Sequence, residues 1–275
     1  MQKGNVTNQI LGSFLMLPID LRRVLDLWPL PRPQAIALLG SYARGDAGPF
    51  SDVDLLFLLP AGAAKPERNT FLIDGYLVVV TAVTPEQIDG WFTEPEQAVN
   101  VVAALRDAIP LQDPDSLFAA VQSRAHAFAW TAELQAKADR YASRAMVGWI
   151  EESHKGLEGL RRNDTGRLLN ARFGLSWGLA GLMRVQRGIL GNSDNGFYDD
   201  VRNALGRESR WSRLLSTTFG AATSASALFS LHEEVIAGLR LYCETTRLLA
   251  DALQPEDRPL IESTVARIEQ AISGL

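Results

Sequence analysis

Asp52 and Asp54 are the residues of this sequence whose types and spacing point most directly to chemistry. They open the apolar segment 53–59, which predicts a β-strand, and residues two apart on a strand point to the same side. Two carboxylates placed in this way repel each other unless a cation lies between them, and their hard oxygens suit Mg²⁺ carrying a nucleoside triphosphate. The pair therefore predicts a metal site that supports in-line displacement at the α-phosphorus.

A glycine turn precedes the two aspartates. The apolar segment 35–39 predicts a short buried strand that ends at Gly40. Gly40 lets backbone N–H groups approach a ligand closely, and Ser41 adds a hydroxyl donor at the start of a short predicted helix. Arg44, one turn into that helix, would add a cationic donor. We therefore expect this turn to bind phosphate.

Together these segments resemble the signature of the DNA polymerase β-like nucleotidyltransferase superfamily, in which a Gly-Ser pair is followed by Ser-Asp-x-Asp. Here the two parts are residues 40–41 and 51–54. Within the superfamily, residues 48–54 (Gly-Pro-Phe-Ser-Asp-Val-Asp) look most like the corresponding stretch of kanamycin and aminoglycoside-type nucleotidyltransferases. The resemblance is specific over residues 35–60 and only general beyond them.

The resemblance implies a role for each matching residue. Asp52 and Asp54 match the metal-holding, catalytic acids of the superfamily. The positions expected to hold the triphosphate are Gly40, Ser41, Arg44 and Ser51. The reaction implied is transfer of a nucleoside monophosphate, AMP from ATP being expected, to a hydroxyl of a small-molecule acceptor. Mg²⁺ would be the cofactor and pyrophosphate the leaving group.

The composition narrows the choice of partners. A net charge of −5 argues against a nucleic-acid partner, because phosphate backbones need a basic footprint. The same charge suits a cationic acceptor such as an aminoglycoside. The resemblance also implies a homodimer with its sites between the subunits.

One acidic residue of the family pattern is missing. Family members often carry a third carboxylate on a later strand, but the candidate strand here, residues 76–83, contains none. The family's acidic position falls near Val79, and Asp74, which precedes Gly75, is interpreted as a turn residue. Two explanations stay open. The chain is a degenerate nucleotide-binding regulatory protein, or a base comes from a later helix.

Glu152 is the candidate for that base. A single helix is predicted over residues 130–162, and Glu152 continues its apolar stripe. A carboxylate central on an apolar face is costly unless it is functional or paired, and an arginine such as Arg167 or Arg172 is the alternative partner. Lys155 lies at the edge of the same face, where it either reaches phosphate or is solvated. The stripe consists of Leu134, Ala138, Tyr141, Ala145 and Trp149.

A further alternative is an antitoxin-type nucleotidyltransferase that acts on a protein partner. Such a chain would be short and would work with a separate helical toxin in which a histidine follows an arginine by five to seven positions. Here the helical half is part of the same chain, and none of the three histidines follows an arginine at that distance. The sequence therefore favours a small-molecule acceptor over a protein acceptor.

The organisation predicted from the sequence is an α+β fold in two domains. Residues 1–115 alternate helix and strand and predict a small mixed-sheet nucleotidyltransferase domain, while residues 116–275 predict an all-α helical bundle for substrate binding or dimerisation. Cys243 is the only cysteine, so no internal disulfide is possible and the cytoplasm is the expected location. The apolar patch 10–18 lacks a signal-peptide pattern, and no apolar run is long enough to span a membrane.

Overall fold

The computed structural model describes residues 17–29, 31–64, 66–221 and 229–273. By its contacts the chain divides into two compact units. The first comprises Met1–Pro85 with Ala108–Ala120, and the second comprises Glu86–Asp107 with Val121–Leu275. This division differs from the predicted domain limits chiefly in placing residues 86–107 with the helical unit. None of the helices within the described ranges is both long and apolar enough to cross a membrane.

The first unit is built on a mixed sheet that has five strands in the described part of the chain. The sheet order is β3-β4-β2-β1-β5, in which β2 and β4 run parallel and the other neighbours run antiparallel. The bounds are β1 (Ala35–Leu39), β2 (Val53–Leu58), β3 (Thr70–Ile73), β4 (Tyr76–Val83) and β5 (Ile109–Gln112).

Two short helices accompany this sheet. The first, α1 (Leu21–Leu27), begins at the N-cap Asp20, whose side chain accepts a hydrogen bond from the Arg22 N–H. Trp28 follows it and meets the Phe57 ring edge-on, with the ring centroids 4.9 Å apart. The buried residues Ile36, Leu55 and Val78 belong to the same apolar cluster. The second helix, α2 (Gly40–Arg44), leads directly out of β1.

The second unit is helical over almost all of its described length. Its buried core includes Met146, Leu175, Trp211, Leu239 and Tyr242. A π-helical turn spans Gly174–Gly178 between two α-helices, and a 3₁₀ turn spans Asp194–Gly196. The α-helices that follow α2 are α3 (Pro85–Ile88), α4 (Gly90–Thr93), α5 (Pro95–Asp107), α6 (Leu117–Ala127), α7 (Ala132–Gly148), α8 (Ile150–Arg162), α9 (Thr165–Phe173), α10 (Leu179–Gln186), α11 (Phe197–Leu205), α12 (Arg210–Thr218), α13 (Leu231–Leu248) and α14 (Arg258–Ile272).

The prediction of one helix over residues 130–162 was wrong, because α7 and α8 are separate helices that meet at Trp149. Trp149 has φ −83° and ψ 1°, outside the α-helical range. Its indole lies against Gly178 so closely that a Cβ on that residue would overlap it. Gly148 ends α7 just before the break, and glycine is a poor helix former. Packing of the indole thus accompanies a break that the apolar periodicity did not reveal.

The α+β fold class is confirmed by the mixed sheet and the many helices. The strands predicted at 35–39, 53–59 and 76–83 are present to within one residue, whereas β3 was not predicted. Most of the apolar patch 10–18 lies outside the described residues, so its interpretation stays a prediction.

Candidate active site

The two aspartates lie at the start of β2, the central strand of the sheet. Asp54 pairs with Leu39 of antiparallel β1 on one side and with Val79 of parallel β4 on the other. Both aspartates are partly exposed, while Val53 between them is fully buried on the opposite face. The strand alternation therefore holds two carboxylates on one side of the sheet, as the sequence predicted.

Gly40 adjoins this carboxylate pair. Its φ of +66° is in the left-handed region that favours glycine. A Cβ built on Gly40 would overlap Oδ2 of Asp54 and lie 3.1 Å from the Asp54 Cγ. The missing side chain of Gly40 is therefore the space that the Asp54 carboxylate occupies. The Gly-Ser pair by itself predicts only the close approach of a ligand at Gly40.

The surroundings of the Asp54 carboxyl disfavour its ionised form. Burial, and next the charge of Asp52, raise the pKa of Asp54 from 3.8 to about 6, and Arg44 partly opposes this increase. A divalent cation between the two carboxylates would relieve the same repulsion, and carboxylate oxygens are hard ligands. The pair therefore fits Mg²⁺, with Asp52 and Asp54 as the residues that would hold it.

The loop between α2 and β2 has internal polar contacts at two predicted phosphate-binding positions. Arg44 ends α2, is 17% exposed at its side chain, and pairs with Asp46 at 3.3 Å. Ser51 closes a turn, because its Oγ accepts a hydrogen bond from the Gly48 N–H at 2.9 Å and its own N–H donates to the Gly48 carbonyl at 3.1 Å. Ser41 is partly exposed near the start of α2. Phosphate binding by these residues stays a prediction.

The third carboxylate is absent from the position that the family pattern indicates. Val79 is the register partner of Asp54, so its side chain leaves the sheet on the same side. Asp74 has φ 52°, forms the β3–β4 turn with Gly75 and pairs with Arg23, in agreement with its interpretation as a turn residue. Within the described residues, no group of three or more His, Cys, Asp or Glu side chains could hold a metal ion.

Glu152 belongs to the second unit and lies in the first turn of α8. Its side chain is 19% exposed, and its Cγ packs where a Cβ on Gly174 would stand. Oε1 accepts a hydrogen bond from Lys155 Nζ at 3.0 Å, whereas the buried Oε2 has no hydrogen-bond partner in the described part of the chain. A buried carboxylate oxygen without a partner costs folding free energy, so Glu152 is a candidate for a functional group.

The partners of Glu152 differ from the alternatives that the sequence offered. The arginine alternative was wrong, because Arg167 pairs with Asp164 at 3.1 Å and Arg172 pairs with Glu234 at 3.2 Å. Lys155 is not simply solvated, since its Nζ bridges Glu152 and Glu151, the latter at 2.9 Å. An i, i+3 lysine thus neutralises one oxygen of Glu152.

The structure brings six of the predicted site residues together in the first unit and places Glu152 and Lys155 in the second. The pairing of Arg44 with Asp46 was not predicted, although the spacing of the two residues offered a signal. The direct contact between Gly40 and Asp54 was not predicted either, because it depends on strand register. The six residues of the first unit are Gly40, Ser41, Arg44, Ser51, Asp52 and Asp54.

Comparison with known proteins agrees with nucleotidyl-transfer chemistry at the glycine turn and the two aspartates. Residues 21–106 match the family model described as a nucleotidyltransferase domain. Over 49 residues the chain is 47% identical to the bifunctional uridylyltransferase/uridylyl-removing enzyme of Bordetella avium (strain 197N), covering 18% of this chain and 6% of that protein. The enzyme of the same name from Bordetella pertussis (strain Tohama I) is 49% identical over 53 residues, covering 16% of this chain and 6% of the relative.

The chain therefore spans only a small part of these curated relatives. Among solved structures, a nucleotidyltransferase-like protein from Exiguobacterium sibiricum 255-15 aligns with 84% of this chain and 74% of its own, at 11% identity and a TM-score of 0.47. The family match includes the glycine turn and both aspartates. Residues 21–106 are thus a nucleotidyltransferase domain of the DNA polymerase β-like superfamily.

Proposed function

We propose that the protein transfers a nucleoside monophosphate from a nucleoside triphosphate to a hydroxyl group of a small-molecule acceptor, with release of pyrophosphate. AMP from ATP is the first case to test, and an aminoglycoside-like cation is the first acceptor class. The observation that carries the proposal is the contact of Gly40 with the Asp54 carboxylate, beside Asp52. This contact joins a phosphate-binding type of turn to a carboxylate pair that fits a divalent cation.

In this proposal each residue of the first unit has one task. Asp52 and Asp54 hold Mg²⁺, which when bound supplies Lewis-acid stabilisation of the charge that develops on the phosphates. Arg44 adds positive charge from the end of α2. Ser41 donates its hydroxyl to a phosphate oxygen. Ser51 keeps its O–H as a donor, because in its contact with the Gly48 N–H it acts as the acceptor.

Glu152 is proposed as the general base. A base needs an oxygen that can take a proton, and Glu152 Oε2 has no competing donor within the described residues. In the reaction the acceptor O–H proton passes to Glu152, the acceptor oxygen forms a bond to the α-phosphorus, and the bond from that phosphorus to the bridging oxygen breaks. Lys155 holds the other carboxylate oxygen and so fixes the side-chain rotamer.

Transfer of UMP is the second candidate. The observation that favours it is the 47–49% identity to proteins named uridylyltransferases over 49–53 residues. Those names describe the relatives, and the shared segment covers 6% of them. Experiment therefore has to decide whether AMP or UMP is transferred. A cytoplasmic location is part of the same proposal, because nucleoside triphosphates are held there.

Pyrophosphate release tests the proposal. Purified protein is incubated with Mg²⁺ and either ATP or UTP, together with aminoglycosides, uncharged polyols or a cell-protein fraction. We expect release with one nucleotide and a small hydroxyl-bearing acceptor, and none with Asp54→Asn. Tight nucleotide binding without release would instead indicate a nucleotide-binding regulatory protein. Release that depends on the protein fraction would indicate a protein acceptor.

A further inference from the structure

A cavity of about 490 Å³ lies within the helical unit, and none of the residues assigned above lines it. This volume is within the range of pockets that hold small molecules, roughly 300–1,000 Å³. None of the residues that line it is charged. The lining consists of Tyr141, Ala145, Gly148, Trp149, Trp177, Gly178, Gly181 and Leu182.

Three aromatic side chains form the walls of this cavity. Trp177 is 49% exposed, yet its indole is held in place because it stacks on Phe197, with centroids 5.3 Å apart and planes at 10°, and meets Phe219 edge-on at 5.2 Å. The indole of Trp149 is fixed against Gly178. Large aromatic rings that are both exposed and fixed are costly in water, but they provide flat, ordered surfaces for a ligand.

Two glycines keep the cavity open, although neither a close neighbour nor a positive φ requires glycine at these positions. A Cβ added at Gly148 or Gly181 would meet nothing within 4 Å, and neither residue has a positive φ. Gly181 lies inside α10, where glycine destabilises a helix relative to alanine. Glycine at position 181 therefore does not stabilise α10, but the absence of a side chain there adds volume to the cavity.

The Trp177 wall belongs to the π-helical turn Gly174–Gly178. Such turns are rare and occur frequently at functional sites, because they insert a residue into an otherwise regular helix and redirect side chains. A Cβ on Gly174 would meet Glu152 of α8 and the indole of Trp149, its N-cap, and a Cβ on Gly178 would meet the same indole. The turn thus orders two walls of the cavity together.

Carboxylates lie close to two of these walls, at Tyr141 and at Trp149. Burial and then the Glu96 carboxylate raise the pKa of Tyr141, which places Glu96 within electrostatic reach of that phenol. Glu152 packs against Gly174 beside Trp149. Lys155 is shared by Glu151 and Glu152, so two negative charges and one positive charge leave this cluster with a net charge of −1. A cation near the aromatic faces would be attracted by both the rings and the carboxylates.

We propose that this cavity, lined by Tyr141, Trp149 and Trp177, binds an organic ammonium ion that carries a ring or a similar apolar body. The apolar body fills the space beside Gly181, and the ammonium group lies against the aromatic faces. The proposal goes beyond nucleotidyl transfer and does not depend on it, because binding is measured without nucleotide or metal.

Titration of the full chain with phenethylammonium tests this site, and 2-phenylethanol serves as the neutral isostere. Binding is followed by tryptophan fluorescence and by the indole N–H signals of the ¹⁵N-labelled protein. We expect saturable shifts of the Trp149 and Trp177 signals, with phenethylammonium bound about threefold to tenfold more tightly than the alcohol. Absence of saturable binding, or equal affinity for the two probes, overturns the proposal.

Gly181→Leu blocks the cavity, and the Cβ of the new side chain would meet nothing within 4 Å. We expect it to weaken phenethylammonium binding at least about tenfold while the thermal unfolding temperature stays the same or rises. Gly166→Leu is the matched control, because Gly166 is an exposed helical glycine of α9 outside the cavity. If Gly181→Leu binds the probe as tightly as Gly166→Leu does, the assignment of the cavity is wrong.

Discussion

Gly40 and Asp54 are mutually dependent, because the Asp54 carboxylate occupies the space where a Gly40 side chain would be. The dependence arises from the antiparallel register of β1 and β2, which pairs Leu39 with Asp54 and so brings the next residue of the chain against the carboxylate. The glycine of the family signature thus has two functions here. It permits φ +66° at the turn, and it leaves room for the acid.

Gly40→Ala should destabilise the protein more than a comparable glycine substitution elsewhere. Strain at a positive φ costs about 1–2 kcal/mol, and the overlap with Asp54 adds about 1–3 kcal/mol more. Gly62→Ala is the matched control, because Gly62 has φ +68° and a Cβ there would meet nothing within 4 Å. Urea unfolding of both variants measures the difference.

A double-mutant cycle separates the two costs. Asp54→Ala removes the atoms that the new Cβ would meet, so the combined Gly40→Ala/Asp54→Ala variant should regain about 1 kcal/mol or more relative to additivity. Simple additivity of the two substitutions would show that the contact does not exist in solution.

The pKa of Asp54 predicts a particular dependence of stability on pH in EDTA. Because burial and Asp52 raise the folded-state pKa from 3.8 to about 6, the folded state binds the proton more tightly than the unfolded state. This contribution to stability is fully present below pH 3.8 and is lost as the pH rises through about 6. Asp54→Asn lacks this titration. The unfolding free energy of Asp54→Asn minus that of wild type should therefore increase by about 1–2 kcal/mol as the pH rises from 4 to 7, after allowance for solvent screening.

Saturating Mg²⁺ provides the control for this pH effect. The cation stabilises the ionised carboxylate, so the advantage of Asp54→Asn at pH 7 should shrink or reverse. A wild-type protein that becomes more stable than Asp54→Asn as the pH rises in EDTA would contradict the raised pKa.

Val79→Asp should restore a third acid beside the carboxylate pair, because Val79 is the register partner of Asp54. We expect lower stability without metal and tighter Mg²⁺ binding. A tenfold gain in affinity would raise the Mg²⁺-induced increase in Tm by roughly 2–4 °C. Thr81→Asp is the control. Thr81 lies two residues after Val79 on β4 and pairs with Leu56 instead of Asp54. Equal Mg²⁺ responses of the two variants would show that Val79 does not face the metal pair.

Glu152→Gln should lower turnover by about 100-fold or more while nucleotide affinity stays the same, because the amide cannot accept the acceptor's proton. Glu151→Gln is the matched control. Both carboxylates pair with Lys155, but the Glu151 side chain is 75% exposed and that of Glu152 is 19% exposed. Steady-state kcat and KM for both substrates measure the effect. Wild-type kcat in Glu152→Gln would remove Glu152 from the chemistry.

The strands that hold the site could be predicted from the sequence because each contains at least four consecutive apolar residues. β1, β2 and β4 are short apolar segments bounded by glycine, proline or aspartate, and such segments have few alternative structures. The spacing of Asp52 and Asp54 then determined which side of β2 their carboxylates share. β3 was missed because its exposed Leu72 and its short length give little alternation.

The features around Glu152 could not be predicted, because they depend on contacts between residues distant in sequence. The helix break at Trp149 accompanies packing of the indole against Gly178, and helical periodicity carries no information about that contact. The π-helical turn before α10 likewise has no local signal beyond its glycines. Pairing of Glu152 with Lys155, three residues away, was within reach of the sequence but competed with two plausible arginines.

The proposed nucleotidyl transfer is tested most directly by measuring whether the full chain, in Mg²⁺, transfers the α-phosphate of a labelled nucleoside triphosphate to a hydroxyl-bearing acceptor. We expect labelled product and stoichiometric pyrophosphate with at least one of ATP and UTP, and loss of both products in Asp52→Asn and in Asp54→Asn. Tight Mg²⁺-nucleotide binding by wild type with neither labelled product nor pyrophosphate would contradict it.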